Sequence, residues 1–156
     1  MSPIPEPFVH RLRVRYAECD AQGVVFNANH LAYVDHSLTE LWRASVGSYG
    51  EVISRGVDMV VAEANVVYRA PARFDDELDI AVTVTRLGTT SMTTRHRITR
   101  ATDGESVSDA RLRYVWVDVA THASTPIPEW ARDALAPYLV PDADPVAPSA
   151  GVEPDG

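Results

Sequence analysis

The chain has no lysine: all fourteen basic residues among its 156 are arginine. That absence removes Schiff-base chemistry, a lysine general base and the lysine of a Walker-type phosphate loop. Arginine still grips phosphates bidentately, so an anionic ligand would have to meet a local arginine cluster. Cysteine is nearly missing too. Cys19 is the only one, which forbids an internal disulfide and fits a reducing, cytoplasmic compartment. No apolar run reaches the length of a membrane span, and Met1-Ser2-Pro3-Ile4-Pro5-Glu6-Pro7 lacks the basic and apolar regions of a secretory signal. Positive charge is in deficit. A net charge of -8 makes nucleic acid and anionic membrane unexpected partners.

What is present suits one ordinary globular domain, since 46% of the residues are hydrophobic. The proline-studded residues 1–7 read as an extended lead-in and residues 8–140 as the domain. Residues 141–156 are acidic, proline-rich and poor in large apolar groups, so they read as a disordered tail.

Within the domain one helix pattern is followed by strand patterns. From His30, Leu31, Val34, Leu38 and Leu41 recur at helical spacing, Trp42 widens the stripe, Asn29 is the candidate N-cap and Gly47 the stop. Alternation marks strands at 8–16, 78–85, 92–98 and 110–116. Residues 59–68 are apolar on both faces, as in a central or interface strand. Asp103-Gly104 reads as a hairpin turn, and 128–139 as a short closing helix. The pattern is α+β: strand, long helix, then four antiparallel strands. The helix is the only element available to cover one face of the sheet.

The most informative stretch is Tyr16-Ala17-Glu18-Cys19-Asp20-Ala21-Gln22-Gly23-Val24-Val25-Phe26-Asn27. It sets a short carboxylate, Asp20, before a glycine-containing turn and a helix start. Helix N-termini carry unpaired N–H groups and partial positive charge, which can hold the oxygen of a carbonyl under attack. The carboxylate can attack or take a proton. By itself Asp20 also fits a turn or cap residue. Tyr16 fits a core aromatic or a hydrogen-bond partner of Asp20. Cys19 has no neighbouring base and reads as an inert thiol. His10, His30, His36, His96 and His122 show no ligand spacing, so no metal is expected.

Two blocks carry a family resemblance. Tyr16-x-x-x-Asp20, Gly23-Val24-Val25-Phe26 and Thr39-Glu40 form the first; Tyr68-Arg69-Ala70-Pro71-Ala72-Arg73-Phe74-Asp75-Asp76-Glu77-Leu78 forms the second. Together, across 9–119, they resemble the 4-hydroxybenzoyl-CoA thioesterase and YbgC-like branch of the hotdog-fold superfamily. The resemblance implies a long central helix wrapped by a curved five-stranded antiparallel sheet. It implies subunits that pair edge to edge into a larger continuous sheet, as dimers or tetramers with sites at their interfaces. It assigns Asp20 as nucleophile or general base and the amide near Asn27 as oxyanion donor, in hydrolysis of an acyl-CoA or acyl-carrier-protein thioester. No cofactor is implied, coenzyme A being part of the substrate. Many YbgC-like members have histidine where this chain has Asn27, a departure that puts their acyl preference in doubt here. Arg69, Arg73, Arg95 and Arg97 are the candidate ligands of the coenzyme A phosphates. Asp35 and Glu40 are further pocket candidates on the helix. A non-catalytic acyl-thioester binder and a cone-shaped α+β lyase or isomerase are the competing readings.

Overall fold

In the computed structural model, which describes residues 5–141, the chain enters as an edge strand, β1 (Phe8–Arg13). A loop with a short 3-10 turn at Tyr16–Glu18 leads into α1 (Asn27–Ser45) and α2 (Tyr49–Ser54). Four strands follow: β2 (Val57–Tyr68), β3 (Glu77–Leu87), β4 (Ser91–Arg100) and β5 (Ser106–Asp118). A last helix, α3 (Glu129–Leu135), closes the described chain. The readings for residues 1–4 and 142–156 lie outside the described residues.

The strands form one antiparallel sheet in the order β1-β3-β4-β5-β2. Alternation decides which face is buried. Leu78, Ile80, Val82 and Val84 of β3 face inward with Met92 and Ile98 of β4 and Leu112, Tyr114 and Trp116 of β5. They pack on Val34, Leu38, Leu41 and Trp42 of α1, so the helix covers this face of the sheet. Trp116 meets Trp42 and Trp130 edge-on at one end, and Trp42 and Trp130 are tilted to each other, with ring centroids 5.7–6.4 Å apart. A five-stranded antiparallel sheet around a 19-residue helix meets the fold expectation.

Several boundaries are corrected. β1 stops at Arg13, because Val14 exchanges hydrogen bonds with Asp75 and Asp76 and the chain then turns. Tyr16 therefore lies outside the strand and is 81% exposed. The helix starts at Asn27, with Phe26 rather than Asn29 at the N-cap position. Asn29 sits in the first turn, and its side chain donates to the Glu18 carbonyl (2.8 Å). Leu31 is off the buried stripe, which instead runs through His30, Tyr33, Val34, Ser37, Leu38, Leu41 and Trp42. The short α2 follows a capping box, Ser48 with Glu51, that the apolar pattern does not reveal. β2 is not central. It crosses to the far edge, where Val60, Val61 and Tyr68 are about half exposed (48%, 53% and 50%).

The sheet interior carries one wholly buried polar set. Ser37 Oγ lies 2.9 Å from His96 Nδ1, and Thr94 Oγ1 lies 2.8 Å from His96 Nε2. Because Ser37 gives its proton to the Val34 carbonyl, it accepts from His96 Nδ1–H, and Nε2 accepts from Thr94. Burial pushes the His96 pKa from 6.5 down to about 3, with Asp109 opposing weakly. The unfolded chain therefore takes up a proton between those values that the folded chain refuses, and stability falls as pH falls through that window. His30 and His10 are also lowered, first by burial, and add with the same sign. Urea unfolding is expected to show roughly 2–3 kcal/mol less stability at pH 4.5 than at pH 7. A His96→Gln variant with an undiminished drop would locate the effect elsewhere.

Candidate active site

The Asp20 loop is built by local hydrogen bonds. Arg15 N–H donates to Glu18 Oε1 (2.8 Å), and the Arg15 guanidinium reaches Oε2 (3.0 Å). Tyr33 of α1 adds its hydroxyl to Oε1 (3.0 Å). Burial raises the Glu18 pKa, but these hydrogen bonds outweigh it and hold the carboxyl below its usual range. Further on, Cys19 and Val25 form an isolated antiparallel bridge. Asp20 N–H donates to the Val24 carbonyl and Gly23 N–H to the Asp20 carbonyl, both at 2.9 Å. Gly23 takes φ +76°, a conformation that the tight return requires and that a side chain would strain.

Within this turn Asp20 Oδ1 accepts from the Gln22 N–H (2.8 Å). The other oxygen, Oδ2, has no partner among the described residues. The turn role and a free carboxylate oxygen thus coexist on one side chain.

The helix start is clamped beside it. Phe26 N–H donates to the Glu18 carbonyl and Val25 N–H to the Ala72 carbonyl (2.9 and 2.8 Å). The backbone N–H groups of Asn27 and Ala28, in the first turn of α1, have no carbonyl one turn back to bond. Tyr68 from β2 donates its hydroxyl to the Asn27 carbonyl (2.8 Å). Asp20, Gln22, Asn27, His30, Tyr68 and Arg69 line one cleft of about 350 Å³. A carboxylate, unpaired amides and an arginine at the rim are the elements that acyl transfer needs.

The other sequence candidates are distributed differently. Tyr16 makes no hydrogen bond to Asp20; it stacks edge-on with Phe74 (6.0 Å), and both rings are exposed. Arg73 bridges Val24 through the backbone, next to the Asp20 turn. The Arg73 backbone N–H donates to Asp76 Oδ2 (2.9 Å), while the guanidinium groups of Arg69 and Arg73 have no carboxylate partner among the described residues. Arg95 is held bidentately by Asp109 (3.1 and 2.7 Å) on β5. Arg97 is exposed on β4, away from the cleft lining. Cys19 is half-buried, its thiol 3.8 Å from the Arg15 carbonyl. Asp35 lines a separate cleft of about 340 Å³ with Tyr49, Asp58, Met59 and Tyr114. Glu40 pairs with Arg43 (3.4 Å).

Sequence reasoning missed two cleft residues, His30 and Tyr68. His30 entered it as the start of the helix pattern and a failed metal ligand, Tyr68 as the end of a strand and part of the second block, and neither as a site residue. Neither shows a local signal, because α1 and β2 meet only in the fold. Among the described residues no group of histidines, cysteines and carboxylates is arranged to hold a metal, and no helix is long and apolar enough to cross a membrane.

Residues 14–135, which contain the Asp20 turn, the cleft and both sequence blocks, match the thioesterase-like superfamily. The acyl-CoA thioester hydrolase YbgC of Shigella flexneri is 35% identical over 107 residues, 69% of this chain and 79% of that protein. A hypothetical protein from Thermus thermophilus superposes with a TM-score of 0.77 at 28% identity, covering 83% of this chain and 98% of its own. A 1,4-dihydroxy-2-naphthoyl-CoA thioesterase from Synechocystis superposes equally well (0.77) at 21% identity, covering 83% of this chain and 95% of its own, a likeness of fold alone. By sequence and by architecture, the chain belongs to the thioesterase-like superfamily.

Proposed function

We propose that the protein hydrolyses an acyl-CoA thioester to the free acid and coenzyme A, with Asp20 as the reacting carboxylate. The observation that carries this reading is the shared cleft: a carboxylate with one oxygen unengaged among the described residues lines it together with Asn27, whose amide opens α1. The first-turn amides, that of Asn27 foremost, hold the carbonyl oxygen as it gains negative charge. Asp20 either takes a proton from water as the water oxygen adds to the carbonyl carbon, or adds itself to give a mixed anhydride that water then opens. In each route the carbonyl re-forms and the C–S pair leaves on the thiolate. Thiolate leaves readily, so no strong acid is needed.

Arg69 and Arg73 are the coenzyme A phosphate ligands in this reading, their guanidinium groups having no carboxylate partner among the described residues and lying on the segment next to the Asp20 turn. Arg97 is a more distant third. Arg95 is already committed to Asp109.

The partner is a second copy of the chain, joined along β2. That edge exposes Val60, Val61 and Tyr68 and leaves one side of the strand without a neighbour in the sheet. Antiparallel pairing of β2 with its own copy sets the Tyr68 end of one strand against the Val57–Asp58 end of the other. The Asp20 cleft beside Tyr68 then faces the partner's cleft beside Asp58 and Met59. The acyl group enters between them.

Release of free thiol from a panel of aromatic, short-chain and long-chain acyl-CoAs tests the reading. At least one class should turn over; a panel without turnover refutes it.

A further inference from the structure

We propose that His30 is a second hydrogen-bond donor to the thioester carbonyl oxygen, acting through its Nε2–H beside the first-turn amides of α1. This rests on the thioesterase reading and adds to it a residue that the Asp20 motif does not contain.

Position comes first. His30 lies three residues beyond Asn27 on α1, and helical side chains lean toward the N-terminus over the preceding turn. Its ring therefore covers the turn that carries the unpaired amides. The ring is also held. Nδ1 lies 2.9 Å from Ser108 Oγ on β5, and the ring meets Tyr68 edge-on, centroids 4.9 Å apart at 80°. Tyr68 in turn donates to the Asn27 carbonyl (2.8 Å), which ties ring and helix start to one strand.

The Ser108 contact decides the tautomer. Ser108 is 1% exposed, and its hydroxyl has no other partner among the described residues. If Nδ1 carried the proton, the enclosed hydroxyl hydrogen would have no acceptor, which is costly. Ser108 therefore donates to Nδ1, and Nε2 carries the hydrogen. Nε2 has no protein partner among the described residues, nor is it one of the enclosed polar atoms left unpaired. It opens into the cleft that His30 shares with Asp20.

The charge state suits a donor. Burial lowers the His30 pKa from its ordinary 6.5, so the ring is neutral at pH 7. The groups around it are the phenol rings of Tyr33 and Tyr68 and the Ser108 hydroxyl, with Asp20 and Arg69 elsewhere in the cleft lining. A neutral imidazole can donate to an oxyanion and keep its proton, as in triosephosphate isomerase.

A purely structural histidine linking α1 to β5 would predict stability loss with catalysis intact. The His30→Phe variant keeps a ring against Tyr68 and removes the donor. Its kcat should fall about 100- to 1,000-fold with KM changed less than about threefold. His30→Gln, which restores an N–H, should recover at least about tenfold of that loss. Nitrogen-15 NMR of the wild-type protein should show His30 as the neutral Nε2–H tautomer at pH 7, whatever the variants do. An Nδ1–H tautomer, a wild-type kcat in His30→Phe, or a loss confined to KM overturns the proposal. If Asp20→Asn is inactive while His30→Phe is not, the proposal falls and the thioesterase reading stands. If the wild-type protein hydrolyses no acyl-CoA, both fall.

Discussion

Asp20→Asn is expected to lower kcat for the best acyl-CoA by about 100- to 10,000-fold, with an unchanged unfolding midpoint. The two halves of that result come from the two oxygens of one side chain. Oδ1 accepts from the Gln22 N–H and shapes the turn, a role the asparagine oxygen takes over. The second oxygen becomes an amide nitrogen, which can neither attack a carbonyl nor take a proton from water. Asp20→Ala should lose both functions and destabilise the loop as well. The comparison therefore separates chemistry from capping, the two roles that the sequence left open. Single turnover in oxygen-18 water separates the routes. Label incorporated into the Asp20 carboxylate marks direct attack, and label found only in the released acid marks a delivered water. An Asp20→Asn enzyme with wild-type kcat would remove Asp20 from the reaction and leave it as a turn residue.

Val60→Asp is expected to convert a dimer into a monomer at micromolar concentration and to remove most thioesterase activity with it. Val60 is 48% exposed on the β2 edge, so a carboxylate there costs the isolated subunit little. In a two-fold pairing every β2 residue occurs once on each strand of the seam, so the substitution buries two carboxylates there. A stable interface of standard size removes about 1,200–2,000 Å² from water, and buried unpaired charge near its middle is poorly tolerated. Activity should follow association, because in the proposed pairing the Asp58–Met59 cleft opposite Asp20 comes from the other subunit. Sedimentation at several protein concentrations, with thiol release on the same samples, gives both readouts. A variant that stays dimeric and active would place the interface on another surface. A monomer with full activity would make the Asp20 cleft self-sufficient.

Much of the architecture was legible in the chain. Strict alternation in Leu78–Val84 and Met92–Ile98 reports a half-buried sheet, and the order of buried and exposed residues follows it. Asp103-Gly104 marked the β4–β5 turn, where Gly104 takes φ +72°. The helix was legible as an element but not in its contact face. Its buried stripe includes His30, Tyr33 and Ser37, polar or amphipathic residues that a count of apolar positions skips, while Leu31 lies outside. The start of α1 was misplaced for a related reason. Asn29 has cap chemistry, yet its side chain is taken by the Glu18 carbonyl, a partner that the preceding loop supplies.

The sequence by itself singled out the candidate reacting group. Asp20, the glycine turn and the helix start are consecutive, so local hydrogen bonds suffice to set a carboxylate beside a helix pole. It also determined that any side-chain cation offered to a phosphate is arginine, or histidine when protonated, since no lysine exists. Tertiary structure alone decided the surroundings of that carboxylate. β2 pairs with β5 instead of its sequence neighbour β3, which sends it to the sheet edge and brings Tyr68 and Ser108 opposite each other. That register delivers Tyr68 to Asn27 and Ser108 to His30, joining residues 41 and 78 positions apart. Local chemistry is written in neighbouring residues, whereas the walls of a cleft are set by long-range strand pairing, which no short window of the chain contains.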